Sequence, residues 1–159
     1  MLIVGGGCRG RRLASALVAD GQVVRVSTRS DAARSAIEAT GAECWIGTPD
    51  RLATLRGALD GVTILCWLLA TATGPTEELR ALHTSRLEFF ITQAIDTTVR
   101  GIVYEAPATM AAAALVARGA EIARALSERN AIPARLLTAD PGDGDAWLRD
   151  ALASIRSML

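Results

Sequence analysis

Three glycines near the start of the sequence constrain the fold of this chain more than any other feature. Gly5, Gly7 and Gly10 form the pattern G-x-G-x-x-G, between the short apolar run 2–5 and the stretch 9–20, which has helical periodicity. A tight turn from a strand into a helix needs glycine at such positions, because the backbone angles are unusual and the helix packs closely on the strand. The pattern therefore predicts a βαβ unit of a parallel sheet.

The rest of the sequence alternates short β-type runs with longer helical patterns. The run 62–69 is apolar on both faces, which is typical of a strand covered by helices on both sides. The predicted strands are 2–5, 23–27, 43–47, 62–69, 101–106 and 132–138, and the predicted helices are 9–20, 31–40, 50–59, 76–97, 109–129 and 145–159. This order predicts an α/β fold: a Rossmann-like, doubly wound parallel sheet of about six strands with helices on both faces, in one domain over residues 1–159.

Composition excludes several classes of partner. The 17 basic residues are all arginine and balance 17 acidic residues, so neither nucleic acid nor an anionic membrane is expected as a partner. The longest apolar run, 61–70, is about half as long as a membrane span, and the N-terminus lacks the basic region of a signal peptide. Three scattered cysteines and a single histidine, His83, support neither a disulfide framework nor a metal site. We expect a cytoplasmic protein without a metal.

The glycine turn, in this position between strand and helix, predicts a site for the pyrophosphate of a dinucleotide. The free amides at the helix N-terminus and the helix macrodipole both favour an anion there. Cys8 and Arg9 lie inside the same turn. The alternative is a glycine turn that holds no ligand.

The residues after the second predicted strand indicate which dinucleotide is bound. Chains that bind NAD usually carry an acidic residue there, which accepts hydrogen bonds from the ribose. This chain has Thr28, Arg29 and Ser30, which offer two hydroxyls and a planar cation to a 2′-phosphate, and Arg9 could reach the same phosphate. We expect NADP, with NAD as the alternative if Arg29 only stacks on the adenine.

Four segments together resemble the NAD(P)-binding superfamily of short-chain dehydrogenase/reductases, nearest to its atypical, NmrA-like and epimerase-like branch. They are LIVGGGCRGRRLASAL, VRVSTRS, ECWIGTPDRLATLRGALDGVTILCWLL and GIVYEA. The resemblance implies that Gly47-Thr48 stands where a Gly-Asp pair usually contacts the adenine. It also implies that the loop Leu69-Ala70-Thr71 passes the ribose on the nicotinamide side.

The chain departs from this superfamily at the catalytic residues. Active members carry Tyr-x-x-x-Lys on the helix after the fifth strand, but this chain has no lysine, and its one tyrosine, Tyr104, lies in the fifth predicted strand. Thr109 could stand for the superfamily's Ser/Thr. Relatives of the epimerase type also continue past the sixth strand into a substrate-binding part, whereas this sequence ends one helix later, as a truncated form would. The standard proton relay is therefore not expected.

A few other residues are weak candidates for chemistry. Glu105, with Tyr104, stands at the end of the fifth predicted strand and could act as an acid or base, although a salt-bridging glutamate is the alternative. Cys8 at a helix N-terminus could be reactive when no cofactor is bound, or simply be a tolerated small residue. We expect His83 to be partly buried on a helix surface. The apolar residues Phe89, Phe90 and Trp147 would suit a homodimer.

Three classes of function remain. The first is an NADP-dependent oxidoreductase, or an epimerase-like enzyme, that acts on a small carbonyl compound with a non-standard acid. The second is a redox sensor that binds the cofactor without turnover. The third is a subunit that contributes a dinucleotide site to a larger assembly. The glycine turn favours dinucleotide binding in all three.

Overall fold

A single parallel sheet organises the chain. The computed structural model describes residues 1–107 and 113–159. The sheet has six strands in the order β3-β2-β1-β4-β5-β6, all of them parallel. The strands are β1 (Leu2–Val4), β2 (Arg25–Thr28), β3 (Glu43–Ile46), β4 (Ile64–Trp67), β5 (Gly101–Glu105) and β6 (Ala134–Leu137). The predicted α/β, Rossmann-like doubly wound fold is confirmed.

Helices connect the strands and cover both faces of the sheet. They are α1 (Cys8–Ala19), α2 (Arg34–Glu38), α3 (Thr76–His83), α4 (Ser85–Ile95), α5 (Ala113–Asn130) and α6 (Gly144–Arg156), with 3₁₀ turns at Asp31–Ala33 and Leu52–Leu59. The predicted helices at 31–40 and 50–59 are thus partly or wholly 3₁₀. None of the described helices is long and apolar enough to cross a membrane.

Alternation along the strands divides the core into two layers. One layer packs the side chains of Ile3, Val26, Cys66 and Val103 against α1, α2 and α6. The other packs the intervening strand residues, among them Leu2, Val4, Leu65, Trp67 and Tyr104, against α4, α5 and the 3₁₀ turn after β3. Successive strand residues face opposite layers, so both faces of β1, β4 and β5 are buried.

The structure corrects the prediction of one continuous helix over 76–97. The backbone leaves the helical region at Thr84, which has φ −128° and ψ −97°. The Thr84 hydroxyl donates to the Arg80 carbonyl at 2.7 Å, and the Thr84 carbonyl accepts from Glu88 N at 2.9 Å, so the residue ends α3 and begins α4. A threonine that bonds to the backbone competes with helix continuation, which periodicity alone does not reveal.

His83 and Tyr104 form a buried polar pair at this break. The expectation of a partly buried His83 was wrong, because the residue is 1% exposed and shares a hydrogen bond of 2.7 Å between its Nδ1 and the Tyr104 hydroxyl. Burial lowers the pKa of His83 to about 4. Burial and the charge of Glu105 raise the pKa of Tyr104. Both side chains are neutral members of the core at pH 7.

Apolar surface outside the core is less than the sequence suggested. Phe90 and Trp147 are buried, whereas Phe89 on α4 is 50% exposed. The homodimer expected from these three residues stays a prediction.

We predict that His83 makes the protein less stable as the pH falls from about 6.5 to about 4. In this range the unfolded chain binds a proton that the folded chain does not, so the free energy of unfolding decreases with decreasing pH. Between pH 6.5 and pH 5 the loss is on the order of 2 kcal/mol. Urea unfolding at a series of pH values measures it. His83→Asn keeps a polar atom near the Nδ1 position but does not titrate, and equal pH dependence in this variant would contradict the prediction.

We predict that Gly119→Ala destabilises the protein. A Cβ at Gly119 would overlap the Tyr104 hydroxyl and lie 2.9 Å from the His83 carbonyl oxygen. Such overpacking costs about 1–3 kcal/mol, whereas alanine in place of a helix glycine ordinarily gains up to about 1 kcal/mol. Urea unfolding shows whether the substitution lowers the free energy of unfolding, as overpacking would, or raises it, as helix propensity would. Ala117→Gly, on the exposed side of the same helix, serves as the propensity control, and a Gly119→Ala variant as stable as the original chain would refute the prediction.

Candidate functional site

The glycine turn brings the start of α1 close to β1 and β4. Gly5 has a φ of +137°, and a Cβ there would lie 2.5 Å from the Leu68 carbonyl oxygen. A Cβ at Gly10 would overlap the Gly5 carbonyl oxygen. Backbone conformation and packing therefore both require glycine at position 5, and packing alone requires it at position 10.

Gly7 differs, because nothing in the protein requires a glycine there. Its φ of −69° is open to any residue, and a Cβ would have no heavy atom within 4 Å. Gly7 is the N-cap of α1 and provides no side-chain cap, so the first-turn amides of α1 have no acceptor among the described residues. The space that a Cβ would fill thus lies directly beside free amides at the positive end of a helix, where an anion is favoured.

A cleft opens from this turn along the carboxyl ends of the central strands. Its volume is about 240 Å³. Residues predicted for the cofactor site form part of its walls: Gly5, Thr28, Arg29, Gly47, Thr48 and Leu69. The order of the strands reverses between β1 and β4, and such switch points are where open α/β sheets bind ligands.

The segment after β2 presents a free cation to the cleft. Arg29 is exposed, lines the cleft and has no ion-pair partner within 1–107 and 113–159. Thr28 donates weakly to the Ser30 carbonyl at 3.4 Å, and Ser30 is exposed. The next acid along the chain, Asp31, accepts from Arg34 Nε at 2.6 Å. Of the three predicted residues, Thr28 and Arg29 therefore line the cleft, and Ser30 follows them on the surface outside its lining.

The adjoining wall, which the segment after β3 forms with α4, contains an ion pair that sequence reasoning missed. Arg86 Nη1 donates to Asp50 Oδ1 at 2.6 Å, and Asp50 Oδ2 accepts from the Thr48 hydroxyl at 3.2 Å. Gly47 supports this wall, since a Cβ there would lie 2.8 Å from Leu55 Cδ2. The position of Asp50 could have been predicted from the sequence, because Asp50 closely follows the predicted pair Gly47-Thr48. The position of Arg86 could not have been predicted, because Arg86 lies on α4 and the break at Thr84 that begins this helix was not recognised in the sequence.

Arg9 points to β5. Its Nη2 donates to the Thr71 hydroxyl at 2.6 Å and to Glu105 Oε1 at 3.1 Å, and its guanidinium lies over the Trp147 ring, 5.4 Å from the centroid. Thr28 ends β2 and Arg29 and Ser30 follow it, on the other side of β1 in the sheet. Arg9 is thus engaged away from the residues with which it was expected to share a phosphate.

Glu105 has the geometry of an ion-pairing residue. It is fully buried, and three groups donate to its carboxylate: Arg9, Trp147 Nε1 at 2.8 Å, and the Ala70 amide at 2.9 Å. These donors leave little capacity for proton transfer with a ligand, which favours the salt-bridge alternative. Ala70 is therefore buried behind the cleft wall, whereas Leu69 and Thr71 line it.

Tyr104 and Cys8 are not among the residues that line the cleft. Tyr104 lies in the core and bonds to His83. Thr109 lies outside the described residues. Cys8 is an exposed free thiol in the turn. No cluster of metal-ligating side chains occurs in the described part of the chain.

No model of a protein family matches the chain. No curated protein matches it either.

Solved structures do match. A short-chain dehydrogenase/reductase superfamily protein from Agrobacterium tumefaciens, with bound NAD, is 18% identical at a TM-score of 0.71 over 86% of this chain and 48% of that one. Triphenylmethane reductase from Citrobacter sp., complexed with NADP(H), is 18% identical at a TM-score of 0.65 over 86% and 48%. BdcA from E. coli is 18% identical at a TM-score of 0.76 over 96% and 87%.

The chain spans about half the length of the first two of these structures. At this identity the similarity establishes the fold. The resemblance inferred from the sequence is confirmed at that level: this chain has the Rossmann-like fold of short-chain dehydrogenase/reductase proteins.

Proposed function

We propose that the chain binds a nicotinamide dinucleotide in the cleft, with the pyrophosphate on the glycine turn. The observation that carries this proposal is the presence of glycine at position 7. Neither backbone angle nor packing explains a glycine there, and a Cβ would project into open space beside the free amides of α1. A ligand that approaches the backbone closely does explain it.

The residues of the cleft fit the parts of such a cofactor. The first-turn amides of α1 would hold the pyrophosphate, and Gly47, Thr48 and Leu69 would line the adenosine and ribose positions. When bound, the nicotinamide ring supplies hydride transfer. The described residues supply binding and orientation.

We further propose that NADP(H) is preferred over NAD(H). Arg29 lines the cleft with no counter-charge among the described residues, and the nearby Asp31 is paired with Arg34. A guanidinium between two hydroxyls is well suited to a phosphate monoester. The similar structures support either choice, because one contains NAD and another NADP(H).

The proposed activity is cofactor binding without the Tyr-Lys proton relay. The chain has no lysine, Tyr104 is bonded to His83 in the core, and Glu105 is occupied by three donors. These features favour a cofactor-binding sensor or subunit over an oxidoreductase that uses Glu105 as its acid. We also propose that residues 1–159 form a single domain, that the protein is cytoplasmic and that it forms a homodimer.

We predict that the chain binds NADPH more tightly than NADH and that Arg29→Asp reverses this order. The substitution replaces attraction of the 2′-phosphate by repulsion, and charged hydrogen bonds of this kind correspond to about tenfold or more in affinity. Isothermal titration calorimetry with both dinucleotides measures the ratio. Arg56→Asp makes the same charge change at an exposed position outside the cleft and should preserve the ratio. Equal affinities in the original chain would refute the NADP(H) preference.

We predict that Gly7→Ala weakens binding of both dinucleotides by about tenfold or more, while the free energy of unfolding falls by no more than about 1 kcal/mol, the cost of alanine at an N-cap. The added methyl group meets no protein atom but occupies the space of the pyrophosphate. Gly21→Ala is the reverse control. Gly21 has a φ of +78° and lies outside the cleft, so its substitution should lower stability and leave affinity intact. Unchanged affinity in Gly7→Ala would count against the proposed site.

A further inference from the structure

Arg9 connects the glycine turn to the part of the molecule formed by β4, β5 and α6. It stands two residues after Gly7, and its guanidinium contacts three other parts of the chain: Thr71 after β4, Glu105 at the end of β5, and the Trp147 ring on α6. The Arg9 side chain is 23% exposed. These three contacts therefore fix the position of the Arg9 guanidinium.

The buried carboxylate makes this connection strong. Glu105 has no exposed surface, and Arg9 is its one ion-pair partner among residues 1–107 and 113–159. A buried carboxylate that loses its cation is destabilised far more than an exposed one. The same carboxylate accepts from the Ala70 amide, so Arg9 and the loop after β4 are tied to one anchor.

Thr71 extends this connection into the cleft. Its hydroxyl oxygen accepts from Arg9 at 2.6 Å, and the residue lines the cleft. In the described part of the chain no acceptor takes the Thr71 hydroxyl hydrogen. A hydroxyl can accept and donate at once, so this hydrogen can be donated to an oxygen atom of a ligand.

We propose that Arg9 is a positioning residue: through Glu105 and Thr71 it holds the loop after β4 against the start of α1, so that the Thr71 hydroxyl donates to an oxygen of the bound dinucleotide. This inference rests on the proposed function. It assigns Arg9 a role unrelated to the 2′-phosphate, because its guanidinium lies on the β5 side of β1. Arg9 therefore supports NADPH and NADH equally, whereas Arg29 distinguishes them.

Hydrogen exchange of the protein without dinucleotide tests the structural part of the proposal. In Arg9→Met, amide exchange in 69–74 should become about tenfold faster, since the loop loses its anchor. Arg12→Met is the matched control. Arg12 lies three residues after Arg9 on the same helix and pairs with the exposed Asp145. Loss of the Arg12 guanidinium should therefore leave amide exchange in 69–74 unchanged. Unchanged exchange in Arg9→Met overturns the proposal.

Three further variants keep the test decisive if Arg9→Met folds poorly. Arg9→Met combined with Glu105→Gln removes the unpaired buried charge and should still expose 69–74. Thr71→Val should also speed amide exchange in this loop. Thr71→Ser keeps the hydroxyl that accepts from Arg9 and should therefore retain the slow exchange of the original chain. Protection equal to that of the original chain in both the double variant and Thr71→Val overturns the proposal.

Titration of the same variants tests the functional part. Arg9→Met and Thr71→Val should each weaken NADPH and NADH by the same factor, about tenfold, with an unchanged ratio. A loss confined to NADPH would show that Arg9 contacts the 2′-phosphate and would overturn the proposal. If the original chain binds neither dinucleotide while Arg9→Met still exposes 69–74, the proposed function fails and the structural link stands.

Discussion

The close contact between α1 and β1 is the constraint on which the rest of the structure depends. Gly10 packs directly on the Gly5 carbonyl, so the helix starts where the strand ends and its free amides face the carboxyl edge of the sheet. Every other wall of the cleft follows from this placement. The neighbouring strands β2 and β4 can then bring Arg29 and Thr71 to the same edge from opposite sides. Any larger residue at Gly5 or Gly10 would move the helix and with it the free amides of its first turn.

Periodicity and glycine punctuation made most of the fold predictable. All six predicted strands overlap the observed ones, because an apolar run bounded by turn residues has few alternatives in a parallel sheet. The errors concern helices. The break at Thr84 depends on a hydroxyl that bonds to the Arg80 carbonyl, and this competes with the helix without changing the apolar pattern. The 3₁₀ form of Leu52–Leu59 likewise leaves no mark in a hydrophobic stripe.

The lining of the cleft was predictable where its residues are adjacent in sequence and not where they meet across the fold. Thr28, Arg29 and Gly47 were found because each directly follows or ends a strand. Arg86 and the partner of Arg9 were missed or misjudged, because a charged residue on a helix carries no sign of the acid that it will meet. Glu105 shows the same difficulty. Its position at a strand end is equally typical of a catalytic acid and of a buried salt bridge, and only its three donors favour the second.

The long-range pairing of the first helix has a consequence for how the molecule is made. Arg9 precedes Glu105 by 96 residues, and Arg12 precedes Asp145 by 133. During synthesis on the ribosome the glycine turn and its arginines therefore emerge well before the acids that pair with them. Until those acids are translated, Arg9 and Arg12 of the nascent chain lack their native ion-pair partners. The first helix can therefore complete its ion pairs only after β5 and the start of α6 have been made, although the residues that line the cleft, from Gly5 to Arg86, all precede β5.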